Sequence, residues 1–276
     1  MLLALLLLSA PPVVADRDVP YVVNGHPRQV LDVYSTLEED AAPVLVVVHG
    51  GGWKGGSKRS AEDNARAILA NRPAVVIVSV EYRLVPEVGW DEQAADVAAA
   101  LAWVHANVAE YGGDPAAVSA SGHSAGAHLA ALVATDPTYL AKHGLTPDFL
   151  RAVVLLDGAA YDVPTQYEAS RGKLIRARMY RDAFGDDPAR QRAASPTAHA
   201  GEGPLPPFLI AHVQRRETSA EQAAGLAEAV RKAGGRAERV SVPGGHMTIY
   251  NQFGKEGDPV LAEAERLYGV LSPRVK

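Results

Sequence analysis

The sequence predicts an α/β fold, a mostly parallel eight-stranded sheet flanked by helices, on three observations. Short β-branched runs alternate with longer Ala-rich stretches of helical period, the rhythm of a parallel sheet covered by helices. The middle runs lack polar alternation, as strands buried on both faces do. No internal repeat and no Pro-, Gly- or Ser-rich linker divides the 276 residues, so 16–276 read as one domain.

Residues 1–15 are an apolar run broken by Pro11-Pro12 and closed by the small residues Val13 and Ala15 before Asp16-Arg17-Asp18. That pattern resembles a secretory signal, so the expected location is secreted or periplasmic, and cytoplasmic if the leader is not cleaved. A membrane span needs roughly 20 apolar residues, so stable membrane insertion is not expected. The turn dipeptide Asn24-Gly25 predicts a hairpin of 21–23 with 30–34. Further strands are predicted at 44–48, 74–80, 118–121, 152–156, 208–211 and 239–242, and helices at 62–70, 91–111, 125–134, 219–233 and 260–267. Residues 160–205 break the rhythm with a partly amphipathic stretch (Leu174, Ile175, Met179, Phe184) followed by Pro196, Pro204, Pro206 and Pro207. An insertion after the sixth strand sits over the carboxyl ends of the strands, so it reads either as a lid or as an extra packed helix.

Composition excludes several functions. With 27 Lys+Arg against 32 Asp+Glu, a net charge of −5, and both signs interspersed, the chain lacks the basic footprint of a nucleic-acid binder. The absence of cysteine removes disulfides, zinc-thiolate sites, iron–sulfur clusters and thiol nucleophiles. A nucleophile must then be Ser, Thr, Asp, Glu or Lys.

Gly122-His123-Ser124-Ala125-Gly126 fits G-x-S-x-G and stands between a predicted strand and a predicted helix, the context in which that motif presents a nucleophilic serine. His49-Gly50-Gly51-Gly52-Trp53 follows the strand at 44–48, and a glycine run lets bare backbone N–H groups face a developing oxyanion. Gly51, Gly52 and Ala125 are the candidate donors. A phosphate cradle is the competing reading, but the chain reads Gly56-Ser57-Lys58 where a P-loop needs Gly-Lys-Ser/Thr. His49 is therefore read as a structural residue of its loop.

Of nine histidines, His246 in Pro243-Gly244-Gly245-His246 follows the last strand, the final position in the order Ser, acid, His. His123 and His128 flank Ser124 as support residues, and their spacing misses the i,i+4 pair of a helix-borne metal site, so no metal is expected. The acid is expected after the strand at 208–211, yet no aspartate occurs between Ala189 and Gly257. Glu217 is the leading candidate. Glu221 completes a Thr218-x-x-Glu221 capping box, Glu217 itself suits a helix N-terminus, and Asp157 and Asp162 after the preceding strand are the alternatives.

Taken in order, His-Gly-Gly-Gly-Trp, Gly-His-Ser-Ala-Gly, acid and His resemble the α/β-hydrolase superfamily, and within it the bacterial carboxylesterases of the hormone-sensitive-lipase-like and feruloyl/acetyl esterase groups. The resemblance spans about residues 20–270 and implies a cofactor-free serine carboxylic ester hydrolase acting on short-chain or aryl acyl esters, small or polymer-linked. The Gly-rich loop followed by Trp53, and Met247-Thr248-Ile249-Tyr250-Asn251 after His246, are also similar to arylformamidase-like relatives, which leaves amide cleavage as an alternative and a non-catalytic binding module as another. Two departures stand out: Glu217 replaces the more usual aspartate, and Arg215-Arg216 occupy the place where that aspartate would often be. Trp53, His123 and Tyr161 are the candidate substrate contacts.

Overall fold

The computed structural model describes residues 13–36 and 41–273. Its eight strands are β1 (Val14–Pro20), β2 (Val30–Ser35), β3 (Ala42–Val48), β4 (Val76–Val80), β5 (Gly113–His123), β6 (Val153–Leu156), β7 (Phe208–Val213) and β8 (Ala237–Val242). They form one sheet in the order β1-β2-β4-β3-β5-β6-β7-β8; β1 and β2 are antiparallel to their neighbours and the rest is parallel.

The helices are α1 (Glu62–Asn71), α2 (Trp90–Asn107), α3 (Ala125–Thr135), α4 (Pro137–Ala141), α5 (Val163–Ser170), α6 (Leu174–Phe184), α7 (Pro188–Ala193), α8 (Pro196–His199), α9 (Glu217–Lys232), α10 (His246–Gln252) and α11 (Pro259–Tyr268). Among the described residues no helix is long and apolar enough to cross a membrane.

Strands that look uniformly apolar in sequence divide their residues between two cores with a period of two. Val44, Val46 and Val48 of β3 join Val153 and Leu155 of β6 under α2, α3 and α9. Leu45 and Val47, with Val154 and Leu156, face the opposite core beneath α1, α10 and α11. Burying one such side chain contributes about 1.5–3 kcal/mol, so this alternation fixes the register in which the strand ends meet.

Two differences from the sequence reading have physical causes. The hairpin exists, but its first strand is 14–20 rather than 21–23: an edge strand tolerates Asp16-Arg17-Asp18 because its outer side faces water, and the register shifts between Asp16 and Val19. Of the expected leader, residues 1–12 lie outside the described residues, while Val14 and Ala15 pair with Ser35 and Tyr34. The 160–205 stretch forms α5 to α8, four helices instead of one.

Topology places the site. Successive connections run from β3 outward to β4 and then back across to β5, so the carboxyl ends of β3 and β5 flank the point where strand order reverses, where open α/β sheets bind ligands.

Candidate active site

Register brings three loop starts together. Val48 pairs with Gly122 and His123 with Leu156, so the residues that follow β3, β5 and β6 emerge side by side at one end of the sheet.

Ser124 occupies the turn from β5 into α3 at φ 55°, ψ −117°, a backbone conformation rare for a residue with a side chain. The turn is that tight only because its neighbours are glycines: a Cβ on Gly122 would meet Gly126 O at 2.4 Å, and one on Gly126 would meet Val48 O at 2.2 Å. Ser124 N–H donates to Leu156 O (3.1 Å), and its hydroxyl lies 3.1 Å from His246 Nε2.

His246 is the first residue of α10, a short helix absent from the helices predicted from sequence. Its Nδ1 lies 2.7 Å from Asp157 Oδ2. This geometry corrects the expectation for the acid. Glu217 is exposed in the first turn of α9, where an anion suits the helix N-terminus, and among the described residues it makes no hydrogen bond or ion pair with His246. Asp162 caps α5 through Thr165 N–H (3.0 Å). The expected capping box of Thr218 and Glu221 is absent, because α9 already starts at Glu217 with no side-chain cap.

Asp157 is fully buried at the end of β6 with φ 44°, another strained non-glycine position. Its Oδ1 accepts from Val213 N–H (3.1 Å) and Ser219 Oγ (2.5 Å), while Arg216 Nη1 lies against Oδ2 and His246 Nδ1. Burial alone would push this carboxyl up, but the bonds from His246 and Ser219, the Arg216 charge and the Val213 N–H outweigh it and hold Asp157 well below the usual carboxylate range. His123 Nε2 donates to His246 O (2.9 Å), and its ring stacks on Tyr250 at 4.8 Å. Burial and the neighbouring His246 push its pKa down to about 4, so it is a neutral prop.

The glycine loop after β3 is held from behind. His49 is fully buried, 3.0 Å from Glu81 Oε1 through Nε2, with Tyr82 O–H donating to its carbonyl (2.8 Å) and the two rings stacked at 4.2 Å. Lys58, the residue that lends the loop its P-loop look, is buried against Asp32 (2.5 Å) and Asp18 (2.8 Å). Gly51 at φ 132° is required, since a Cβ there would meet Gly55 O at 2.1 Å. Among the described residues the N–H groups of Gly51, Gly52 and Ala125 donate to no acceptor, and all three residues line a cavity of about 680 Å³ that also contains Ser124, His246 and Asp157. Such a set, free donors beside an oxygen nucleophile that is bonded to an imidazole, can perform acyl transfer.

The expected substrate contacts divide. His123 and Trp53 line the cavity, although the Trp53 indole is buried and donates to His128 Nδ1 (3.2 Å), whose Nε2 in turn donates to Ala194 O (2.7 Å). Tyr161 is corrected: it is fully buried in the core and is not part of the cavity wall. Tyr180 of α6, an insertion aromatic that the sequence also offers as an acyl-group contact, lines the cavity; sequence reasoning missed Arg176 and Met179 of α6, Arg216 and Tyr250 as lining residues. The signal for Arg216 was visible, a cation standing where an acid was sought.

Known proteins similar to this chain include esterases. Esterase LipQ of Mycobacterium tuberculosis is 32% identical over 216 residues, covering 72% of this chain and 48% of LipQ. Esterase LipC of the same organism is 34% identical over 200 residues, covering 68% of this chain and 48% of LipC. The chain thus spans about half the length of the curated relatives it matches. Among solved structures, the thermophilic esterase 2 of Thermogutta terrifontis with propionate bound superposes with a TM-score of 0.71 at 26% identity, over 95% of this chain and 97% of that one. Esterase B of Lactobacillus rhamnosis shares the fold, with a TM-score of 0.78 at 23% identity over 94% of this chain and 86% of that one. The BD-FAE family model matches residues 31–229, and the chain belongs to that family of α/β-hydrolases.

Proposed function

We propose that the protein is a serine carboxylesterase that cleaves short-chain or aryl acyl esters through an acyl-enzyme. The observation that carries this reading is the continuous chain Ser124 Oγ, His246, Asp157, at 3.1 and 2.7 Å, opening into a cavity lined by three backbone N–H groups that have no acceptor among the described residues. The esterase relatives, and Thermogutta terrifontis esterase 2 phosphoramylated by tabun, support it.

In this mechanism Ser124 Oγ attacks the ester carbonyl while His246 Nε2 takes its proton. The oxyanion is received by the N–H groups of Gly51, Gly52 and Ala125, Asp157 holds the imidazolium in place, and collapse expels the alcohol, which takes the proton from His246. Water, deprotonated by the same imidazole, then splits the acyl-enzyme into carboxylic acid and free Ser124. Ser124→Ala is expected to lower kcat for 4-nitrophenyl butyrate by about 10⁶-fold; turnover retained in the purified variant would refute the assignment.

We further propose export, on the apolar run and small residues of 1–15. Cleavage after Ala15 removes the pairings of Val14 and Ala15 from an edge strand and the packing of Val13 and Ala15 against the core, and sequencing the exported protein's N-terminus tests it.

A further inference from the structure

The charge of the cavity is opposite to that of the chain. The protein carries a net charge of −5, yet the ionised side chains lining the cavity are Arg176, Arg216 and Asp157. Asp157 is already spent on His246, Ser219, Val213 N–H and Arg216 Nη1. A positive surplus faces the space in front of Ser124.

The two guanidiniums come from different elements. On α6, Arg178 pairs with Asp182 (3.9 Å) and Arg181 with Asp186 (3.3 Å), whereas Arg176 has no carboxylate partner among the described residues. With Met179 and Tyr180, three and four residues on, Arg176 lies on the helix face that lines the cavity. Arg216 arrives from the end of β7 with its side chain 25% exposed, and beyond Nη1 its donors have no acceptor among the described residues. Burial pushes the Tyr180 phenol up to about 12 while both arginines pull against it, so both cations act on one hydroxyl of the cavity wall.

We propose that the cavity selects esters that carry a second, ionised carboxylate, received by Arg176 and by the free edge of Arg216. A guanidinium presents parallel N–H donors that match a carboxylate, and in a cavity with no uncommitted acid it has no internal competitor. The proposal rests on Ser124 acting on esters, and it names the class of ester. The carboxylate can stand on the acyl side or on the alcohol side of the scissile bond, and two substrate pairs separate these.

The experiment uses the purified full chain with mono-4-nitrophenyl adipate against its methyl ester, and 4-acetoxybenzoate against methyl 4-acetoxybenzoate. For each pair the quantity read is kcat/KM of the anionic ester divided by that of the neutral one. In Arg176→Gln this ratio is expected to fall about three- to tenfold for the pair whose carboxylate reaches the arginines, and Arg176→Lys, which keeps the charge but not the parallel donors, to fall between Arg176→Gln and wild type. In the wild type the same ratio is expected to fall as NaCl rises from about 0.02 to 0.5 M, a readout that does not depend on how any variant folds. Ratios unmoved by both the substitution and salt, with the methyl esters hydrolysed, overturn the carboxylate site alone. If neither methyl ester is hydrolysed, the ester reading falls and takes the proposal with it.

Discussion

The ends of β6 and β7 are neighbours with opposite chemistry. Leu156 pairs with Ala211, and from there β6 delivers Asp157 toward His246 while β7 runs on to Val213 and into Gln214-Arg215-Arg216. Both strand ends reach the same imidazole, since Arg216 Nη1 lies against His246 Nδ1 as well as Asp157 Oδ2. The imidazole thus sits between the carboxyl ends of two neighbouring strands, one bringing an acid and the other a base. In this chain β6 supplies the anion and β7 the cation that helps to keep it ionised.

Between the two strand ends, the largest expected effect comes from removing the β6 anion. Asp157→Asn preserves the shape but lets His246 Nδ1 be held in the wrong tautomer, and kcat for 4-nitrophenyl butyrate is expected to drop about 10³–10⁴-fold. A sharper test moves the acid. Adding Arg216→Asp to Asp157→Asn places a carboxylate at the end of β7, and steady-state kinetics are expected to show roughly 10- to 100-fold of the loss regained. No recovery would mean that the β7 end cannot present an acid to His246.

Stability discriminates the two ends as well. Because the folded Asp157 carboxyl is held below its unfolded value of about 3.9, its contribution is present above that pH and is lost as pH falls further. Thermal melts should show Asp157→Asn several degrees below wild type at pH 7, with the gap shrinking toward about pH 3. The smallest effect belongs to Glu217→Gln, on an exposed residue in the first turn of α9: kcat is expected to stay within about twofold and Tm within a degree or two.

The same contrast explains what could be read from the sequence. The elbow at Ser124 and the loop at Gly51 are legible because their geometry is impossible for other residues; the backbone would collide with any Cβ at Gly122, Gly126 or Gly51. His246 is legible by its place after the last strand. The acid is not, because both Asp157 and Glu217 follow strands, and what separates them is tertiary: Ser219 and the Val213 N–H, both distant in sequence, converge on Asp157 and compensate its burial. The absence of aspartate after β7 was read as pointing to a glutamate when it marked a change of strand. Tyr161 was misplaced for a similar reason, since a tyrosine in an insertion looks like a substrate contact until packing is known. The edge strand β1 escaped notice because its charged residues face water.

The central claim is that Asp157 holds the His246 ring, and the proton between them reports it directly. A proton NMR spectrum of the wild-type protein at low temperature is expected to show a far-downfield imidazole N–H resonance from the 2.7 Å contact of Nδ1 with Asp157 Oδ2. That resonance should persist in Glu217→Gln and disappear in Asp157→Asn. Its survival in Asp157→Asn together with its loss in Glu217→Gln would contradict the account.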